Sequence, residues 1–207
     1  MRTEIEKRSD GLYWPITDTV CQAWSHGEIY SVNEVVAACK QTRTIVHAGA
    51  NVGVYAKKFA ETFQTVIACE PDTINFKCLS LNTINNDNIL LYQAALGCFA
   101  EPISLTNVET NNCGTGFVKD KGTIPQITID SLGLDTIDCI HLDTEGYEMF
   151  ALMGALNTIK KCSPAIVVEW MGHSKKYNIP PETIIHFLAG LGYVKMKQVA
   201  SDLIFIK

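Results

Sequence analysis

The segment Thr44-Ile45-Val46-His47-Ala48-Gly49-Ala50-Asn51-Val52-Gly53 decides the fold. Its first five residues read as a short apolar strand. The strand runs into a turn built on Gly49 and Gly53, and a helix is expected over 53–62. A doubly wound α/β protein opens a nucleotide pocket in this way. Glycine lets the backbone come close to a ligand, and the helix start presents unpaired N–H groups. The spacing is G-x-x-x-G, whereas dinucleotide enzymes use G-x-G-x-x-G, whose middle glycine makes room for a pyrophosphate. The loop therefore suits a cofactor without phosphates.

The next apolar run, Thr65-Val66-Ile67-Ala68-Cys69-Glu70-Pro71, ends in an acid. In a βαβ unit an acid at the end of the second strand accepts hydrogen bonds from ribose hydroxyls, and a carboxylate can take both at once. The competing reading of Glu70 is a solvated acid at a strand end; its position favours the ribose role. Pro71 turns the chain off the strand because it cannot donate a ladder bond.

The chain has 207 residues, 47% of them apolar, enough for a substantial core in one domain. We expect a methodical division into an aromatic-containing N-terminal segment, 1–30, packed on a single domain, 31–207. With a net charge of −5 and no lysine or arginine run, binding to nucleic acid or a membrane surface has no electrostatic support. No stretch approaches a membrane span, and Met1 to Gly11 lacks an apolar signal-peptide core. The eight cysteines are scattered without a C-x-x-C pair, which points to free thiols and a cytoplasmic setting.

Further strands are expected at 89–96, 137–142 and 165–170, and helices at 72–84, 146–160 and 181–191. Another helix opens near Ser31, with Glu34 completing a capping box. This alternation predicts a parallel sheet covered on both faces. Ile103 to Asn107 and Ile124 to Asp130 read as short extra strands flanking a 111–116 loop. The first 30 residues read as irregular. Tyr193 to Met196 and Leu203 to Ile206 read as a closing hairpin that adds one antiparallel edge strand.

The second chemical segment is Ile137-Asp138-Cys139-Ile140-His141-Leu142-Asp143-Thr144-Glu145-Gly146-Tyr147-Glu148. A strand ends at Asp143, and Thr144 is a natural N-cap. Ligands of open α/β sheets bind beyond the carboxyl ends of the strands, so Asp143 and Glu145 share a crevice with Gly49. Crowding raises carboxylate pKa values and poises one as a general base. The alternative is that these acids only complement the helix dipole, the reading preferred for Glu148. Glu169, in Ile166-Val167-Val168-Glu169-Trp170, repeats the strand-then-acid pattern. Asp143 and Glu169 could hold a divalent ion between neighbouring strands. No remaining ligands occur in a recognisable spacing, so no metal is expected. His173 is a candidate base or substrate contact; His26 and His186 carry no signal.

Taken together these motifs resemble the FkbM family of class I methyltransferases. The resemblance rests on the Gly49 to Gly53 loop, Glu70-Pro71, Ala94-Ala95-Leu96-Gly97, and Asp143-Thr144-Glu145-Gly146-Tyr147-Glu148 followed by Leu152 and Gly154-Ala155. It implies a Rossmann-like, doubly wound, seven-stranded and mostly parallel sheet with an antiparallel last strand. It also implies S-adenosylmethionine as cofactor and methylation of a hydroxyl on a small acceptor such as a sugar. By resemblance Gly49, Ala50, Asn51 and Gly53 would face the cofactor's amino acid part, Glu70 and Pro71 its ribose, and Gln93, Ala94 and Ala95 its adenine. Asp143, Glu145 and Glu169 would line the transfer site, with Asp143 also near the cofactor. Two positions depart from the family. His47 replaces the acid that helps hold the cofactor's ammonium, and His141 stands where a lysine is common. A neutral imidazole can accept one hydrogen bond from an ammonium group, whereas a protonated one would repel it.

His47 motivates a second reading, a catalytically silent binding protein on the same fold. A third, a nicotinamide-linked oxidoreductase, lacks the required glycine at position 51. The acceptor should meet the Trp14 and Trp24 segment, the 111–116 loop and the 170–178 loop. Trp14 either stacks on a sugar ring or pins the N-terminal segment to the core.

Overall fold

The computed structural model describes residues 4–25, 31–107 and 109–207; His26 and the side chain of Trp24 lie outside them. The N-terminal stretch, expected to be irregular, contains a hairpin of β1 (Ile5–Lys7) and β2 (Tyr13–Pro15) and a short helix α1 (Cys21–Ser25). Trp14 anchors it. The ring is fully buried against Val52, Cys78 and Cys113, and its Nε1 donates to Asp10 Oδ2 at 2.9 Å.

From α2 (Ser31–Ala38) onward, strands and helices alternate: β3 (Thr44–Ala48), α3 (Val54–Ala60), β4 (Thr65–Cys69), α4 (Thr73–Asn82) and β5 (Ile89–Tyr92). Glu34 of α2, expected in a capping box, pairs with Lys197 Nζ at 2.5 Å. Then come β6 (Ala95–Leu96), β7 (Ile103–Asn107), β8 (Gly116–Lys121), β9 (Gln126–Ile127), β10 (Cys139–Leu142), α5 (Glu148–Met153) and α6 (Leu156–Cys162). The chain ends with β11 (Ala165–Glu169), α7 (Glu182–Gly190), β12 (Val194–Val199) and β13 (Asp202–Ile206).

Seven strands form the central sheet in the order β12-β13-β11-β10-β3-β4-β5. Pairing is parallel from β11 through β10, β3 and β4 to β5, and antiparallel at β13. The antiparallel strand is not the edge, as the hairpin reading had it: β13 inserts between β11 and β12, and β12 forms the edge. Fully buried strand faces explain the unbroken apolar runs of β3, β10 and β11. One core cluster centres on Val46, Ile67, Ile140 and Leu142, the other on Ile45, Phe59, Val66 and Leu79.

Three boundaries differ from expectation. The run 89–96 leaves the sheet after Tyr92, and Ala95–Leu96 pairs in parallel with Gln126–Ile127. Ile103–Asn107 pairs with Gly116–Lys121, and of the strand expected over 124–130 only Gln126–Ile127 forms, with Ile124 bridging Ile103 and Asp130–Leu132 in a 3-10 turn. The helix expected over 146–160 breaks at Gly154. A Cβ there would overlap the carbonyl oxygen of Gly97. Asp130 restarts the helix as α6 by accepting from Asn157 N at 3.1 Å and Thr158 N at 2.8 Å.

Candidate functional site

The sheet order reverses between β3 and β10, since β3 leads outward to β4 and β5 while β10 leads the other way to β11. That switch point, beyond the carboxyl ends of the strands, is where an open α/β sheet binds its ligand. A cavity of about 780 Å³ lies there.

The loop after β3 forms its floor. Gly49 has φ of 78°, and a Cβ at that position would overlap the carbonyl oxygen of Asp143. The first glycine is thus required by the close approach of the β3 and β10 loops. Asn51 also takes a left-handed backbone, φ 50°, which asparagine tolerates. Gly53, the second glycine, does not line the cavity; it precedes α3 at φ 97° and packs against Leu79. Ala50, Asn51, Ala94, Ala95 and Pro71 all line the cavity. Gln93 does not: it is exposed and donates to Thr73 Oγ1 at 3.1 Å.

Glu70 follows β4 and is only 5% exposed. Its Oε2 accepts from Asn51 N and its Oε1 from Asp72 N, both at 2.8 Å. Burial pushes this carboxyl up to about 7, against the pull of those two N–H groups. Each carboxylate oxygen keeps a second lone pair for a further donor. Asp72 and Asn75 extend the same wall, and Asp72 caps α4 through Ile74 N and Asn75 N.

His47 is buried and lines the cavity, with its ring engaged inside the sheet. It faces His141 in register, the two Nδ1 atoms lie 3.1 Å apart, and Tyr55 and Phe59 pack around both rings. One Nδ1 must donate and the other accept, so at most one of the two rings is protonated. Burial and then the neighbouring imidazole hold His47 well below the ordinary histidine range, and burial lowers His141 to about 4. No protonated His47 faces the cavity near pH 7.

Acids crowd the opposite wall. Asp143, Glu145 and Glu169 line the cavity together with His173 and Lys176. Burial, then Glu145, raises Asp143 well above the usual carboxylate range. Burial raises Glu145 to about 7, and burial followed by Asp143 raises Glu169 to about 10. Glu145 is held at φ 56°, and a Cβ on Gly146 would come within 2.5 Å of the His173 backbone. The β10 and β11 loops therefore touch, and His173 Nδ1 lies 2.9 Å from Glu145 Oε2 and 3.7 Å from Glu169 Oε2.

Thr144 does not cap a helix, since α5 begins at Glu148. Glu148 is buried, and its Oε1 accepts from Thr144 N, Thr144 Oγ1 and Gly146 N, all at 3.0 Å. It shapes the loop that presents Glu145, a part that the helix-dipole reading missed. Sequence reasoning also missed Lys176, whose Nζ is 4.0 Å from Glu145 Oε2, and Asp202, opposite Glu169 in register. It missed the thiols of Cys21 and Cys113, which contact the Asn51 side chain at 3.6 and 3.4 Å. All eight cysteines are free. Asp18, beside that thiol pair, is spent on the N–H groups of Cys21, Gln22 and Cys113. Only its motifless contacts reveal this cluster; no spacing in the sequence marks it.

The family model described as Methyltransferase FkbM domain matches residues 47–195. An FkbM methyltransferase from Methylobacillus flagellatus KT aligns with a TM-score of 0.50 and 18% identity, over 80% of this chain and 44% of that one. This chain thus spans less than half the length of that protein. An rRNA methylase from Streptococcus thermophilus aligns with a TM-score of 0.50 and 11% identity, over 91% of this chain and 97% of that one. A methyltransferase from Geobacter sulfurreducens aligns with 0.50 and 13%, over 92% and 80%. At these identities the likeness concerns the fold, which is that of class I methyltransferases. No curated protein matches the sequence significantly.

Proposed function

The chain belongs to the FkbM methyltransferase domain family, and from that premise we propose that it transfers a methyl group from S-adenosylmethionine to a hydroxyl of a small acceptor such as a sugar. One observation carries the reading: Glu70 and the Asp143–Glu145 pair face each other across a single cavity at the switch point of the sheet.

The residues fit the cofactor. Gly49 lets the loop after β3 pack directly on the Asp143 carbonyl, and Glu70 is a buried acceptor lining the cavity at the ribose position. Ala94, Ala95 and Leu96 offer an apolar wall for an adenine. When bound, the cofactor supplies an electrophilic sulfonium methyl. The protein must then align an acceptor oxygen and take its proton. Glu145, with its pKa near 7, is matched to the second task, and Asp143 and Glu169 to orienting the hydroxyl.

A second reading is retained because His47, in place of the family's acid, is tied to His141 and offers no charge to an ammonium group. Under it the protein binds the cofactor without turnover. Thermal unfolding with S-adenosylmethionine, S-adenosylhomocysteine and NAD tests the pocket. Ligand at about 100 times its dissociation constant should stabilise by about 2.7 kcal/mol, roughly 5–10 °C for this length. A rise with the adenosyl ligands alone is expected, and methyl transfer to hydroxylated acceptors should disappear in Glu145→Gln while the thermal rise persists. Binding without turnover over a broad acceptor panel favours the silent reading; no rise with either adenosyl ligand refutes both.

A further inference from the structure

The carboxylates at the far wall of the cavity lack a partner that balances them. Asp143, Glu145, Glu148, Glu169 and Asp202 influence one another there, and Lys176 is the one ammonium group that acts on them among the described residues. Glu148 is occupied by its loop, and Asp202 is hydrogen bonded to Ser31. Glu145 and Glu169 instead point at His173.

The geometry of that meeting is unusual. One oxygen each of Glu145 and Glu169 and a ring nitrogen of His173 all lie within 4.8 Å of one another. His173 Nδ1 is itself shielded from solvent and has no hydrogen-bond partner, although it is 2.9 Å from Glu145 Oε2 and 3.7 Å from Glu169 Oε2. Its neighbours are close enough to bond but are not placed along an N–H direction. Lone pairs converging on one point have this arrangement. Adjacent ligands of an octahedral ion with bonds of about 2.1 Å are about 3 Å apart, so the shorter distance is already that of a ligand edge.

We propose that Glu145, Glu169 and His173 form a site for a divalent cation at the acceptor end of the cavity. Two carboxylates and one imidazole suit a hard to borderline ion, of which Mn²⁺ is the natural probe. Three protein ligands leave positions open, and Asp143 lines the same wall. An ion there would polarise a coordinated acceptor hydroxyl and ease loss of its proton. That role rests on the methyl-transfer reading; the binding site itself does not.

The test is Mn²⁺ uptake by the metal-stripped protein without cofactor or acceptor, read by loss of the free-ion electron paramagnetic resonance signal. One ion per chain is expected. Glu169→Gln and His173→Ala should each weaken binding roughly tenfold or more. Glu34→Gln, a carboxylate far from the cavity and paired with Lys197, should leave it unchanged. Circular dichroism melting checks that each variant folds, and His173→Gln replaces His173→Ala if the latter does not. The proposal is overturned by no stoichiometric uptake at about 1 mM Mn²⁺, the weak end of biological divalent sites. Equal uptake by wild type and both cavity variants also overturns it. Uptake without any methyl transfer would count against the proposed function alone. Methyl transfer in chelator by a protein that takes up no Mn²⁺ would count against the cation site alone.

Discussion

Replacing Glu70 by glutamine separates the cost of burying this acid from the value of its hydrogen bonds. Both oxygens accept a backbone N–H, from Asn51 and from Asp72, at 2.8 Å. Glutamine offers one oxygen, so one N–H is left facing an amide group. That loss costs about 1–3 kcal/mol and does not depend on pH. Against it stands the titration of the acid, pushed by burial from 4.5 to about 7. The native state keeps its proton to higher pH than the unfolded chain, so it binds more protons between those values. Stability then falls as pH rises through that window; the penalty is absent below pH 4.5 and complete above pH 7. At about 1.4 kcal/mol per pH unit the whole penalty is about 3 kcal/mol, of which about 2.5 falls between pH 5 and pH 8. Urea unfolding of both proteins at the two pH values measures it. Glu70→Gln should be the less stable protein at pH 5, and should gain about 2.5 kcal/mol on the wild type by pH 8. Groups that titrate alike in both proteins cancel in the difference. A difference that stays constant within about 0.5 kcal/mol would show that Glu70 titrates normally and that the argument from burial is wrong.

Two other substitutions probe the frame of the site. Gly49→Ala places a methyl group on the Asp143 carbonyl and a side chain at φ 78°; a loss of about 2 kcal/mol or more in denaturant unfolding is expected, together with loss of the thermal rise given by adenosyl ligands. Trp14→Ala empties a fully buried ring site behind Val52; it should cost about 3–5 kcal/mol, and a melting curve unchanged from wild type would mean that the N-terminal segment does not support the cofactor loop.

The parts of the fold set by local chemistry were legible in the sequence. β3, β4, β10 and β11 are buried on both faces and so appear as short unbroken apolar runs, and the turn after β3 needs a glycine that the chain supplies. Errors fell where a distant contact overrides a local pattern. The 146–160 helix has good internal periodicity, yet Gly97 presses on Gly154 and ends it. The strand expected over 124–130 shrinks to Gln126–Ile127, paired with Ala95–Leu96, because Ile103–Asn107 finds Gly116–Lys121 as its main partner. Gln93, which the resemblance places at the adenine, turns its side chain to Thr73 and does not line the cavity, whereas Ala94 and Ala95 beside it do.

The site divides along the same line. Asp143, Glu145 and Glu169 stand at strand ends, where the topology alone directs them to the crevice. His47 also stands at a strand end and lines the cavity, but register decides its partner: His141, 94 positions away, engages its Nδ1. The two positions at which the resemblance implies a departure, His47 and His141, thus meet as one contact between adjacent strands. An acid opposite a lysine in adjacent strands is an ion pair, and two neutral imidazoles sharing one hydrogen bond replace it without leaving a buried charge. The imidazole pair thus fills the packing under the Gly49 loop, and the acid that lines the cavity from the neighbouring strand is Glu70.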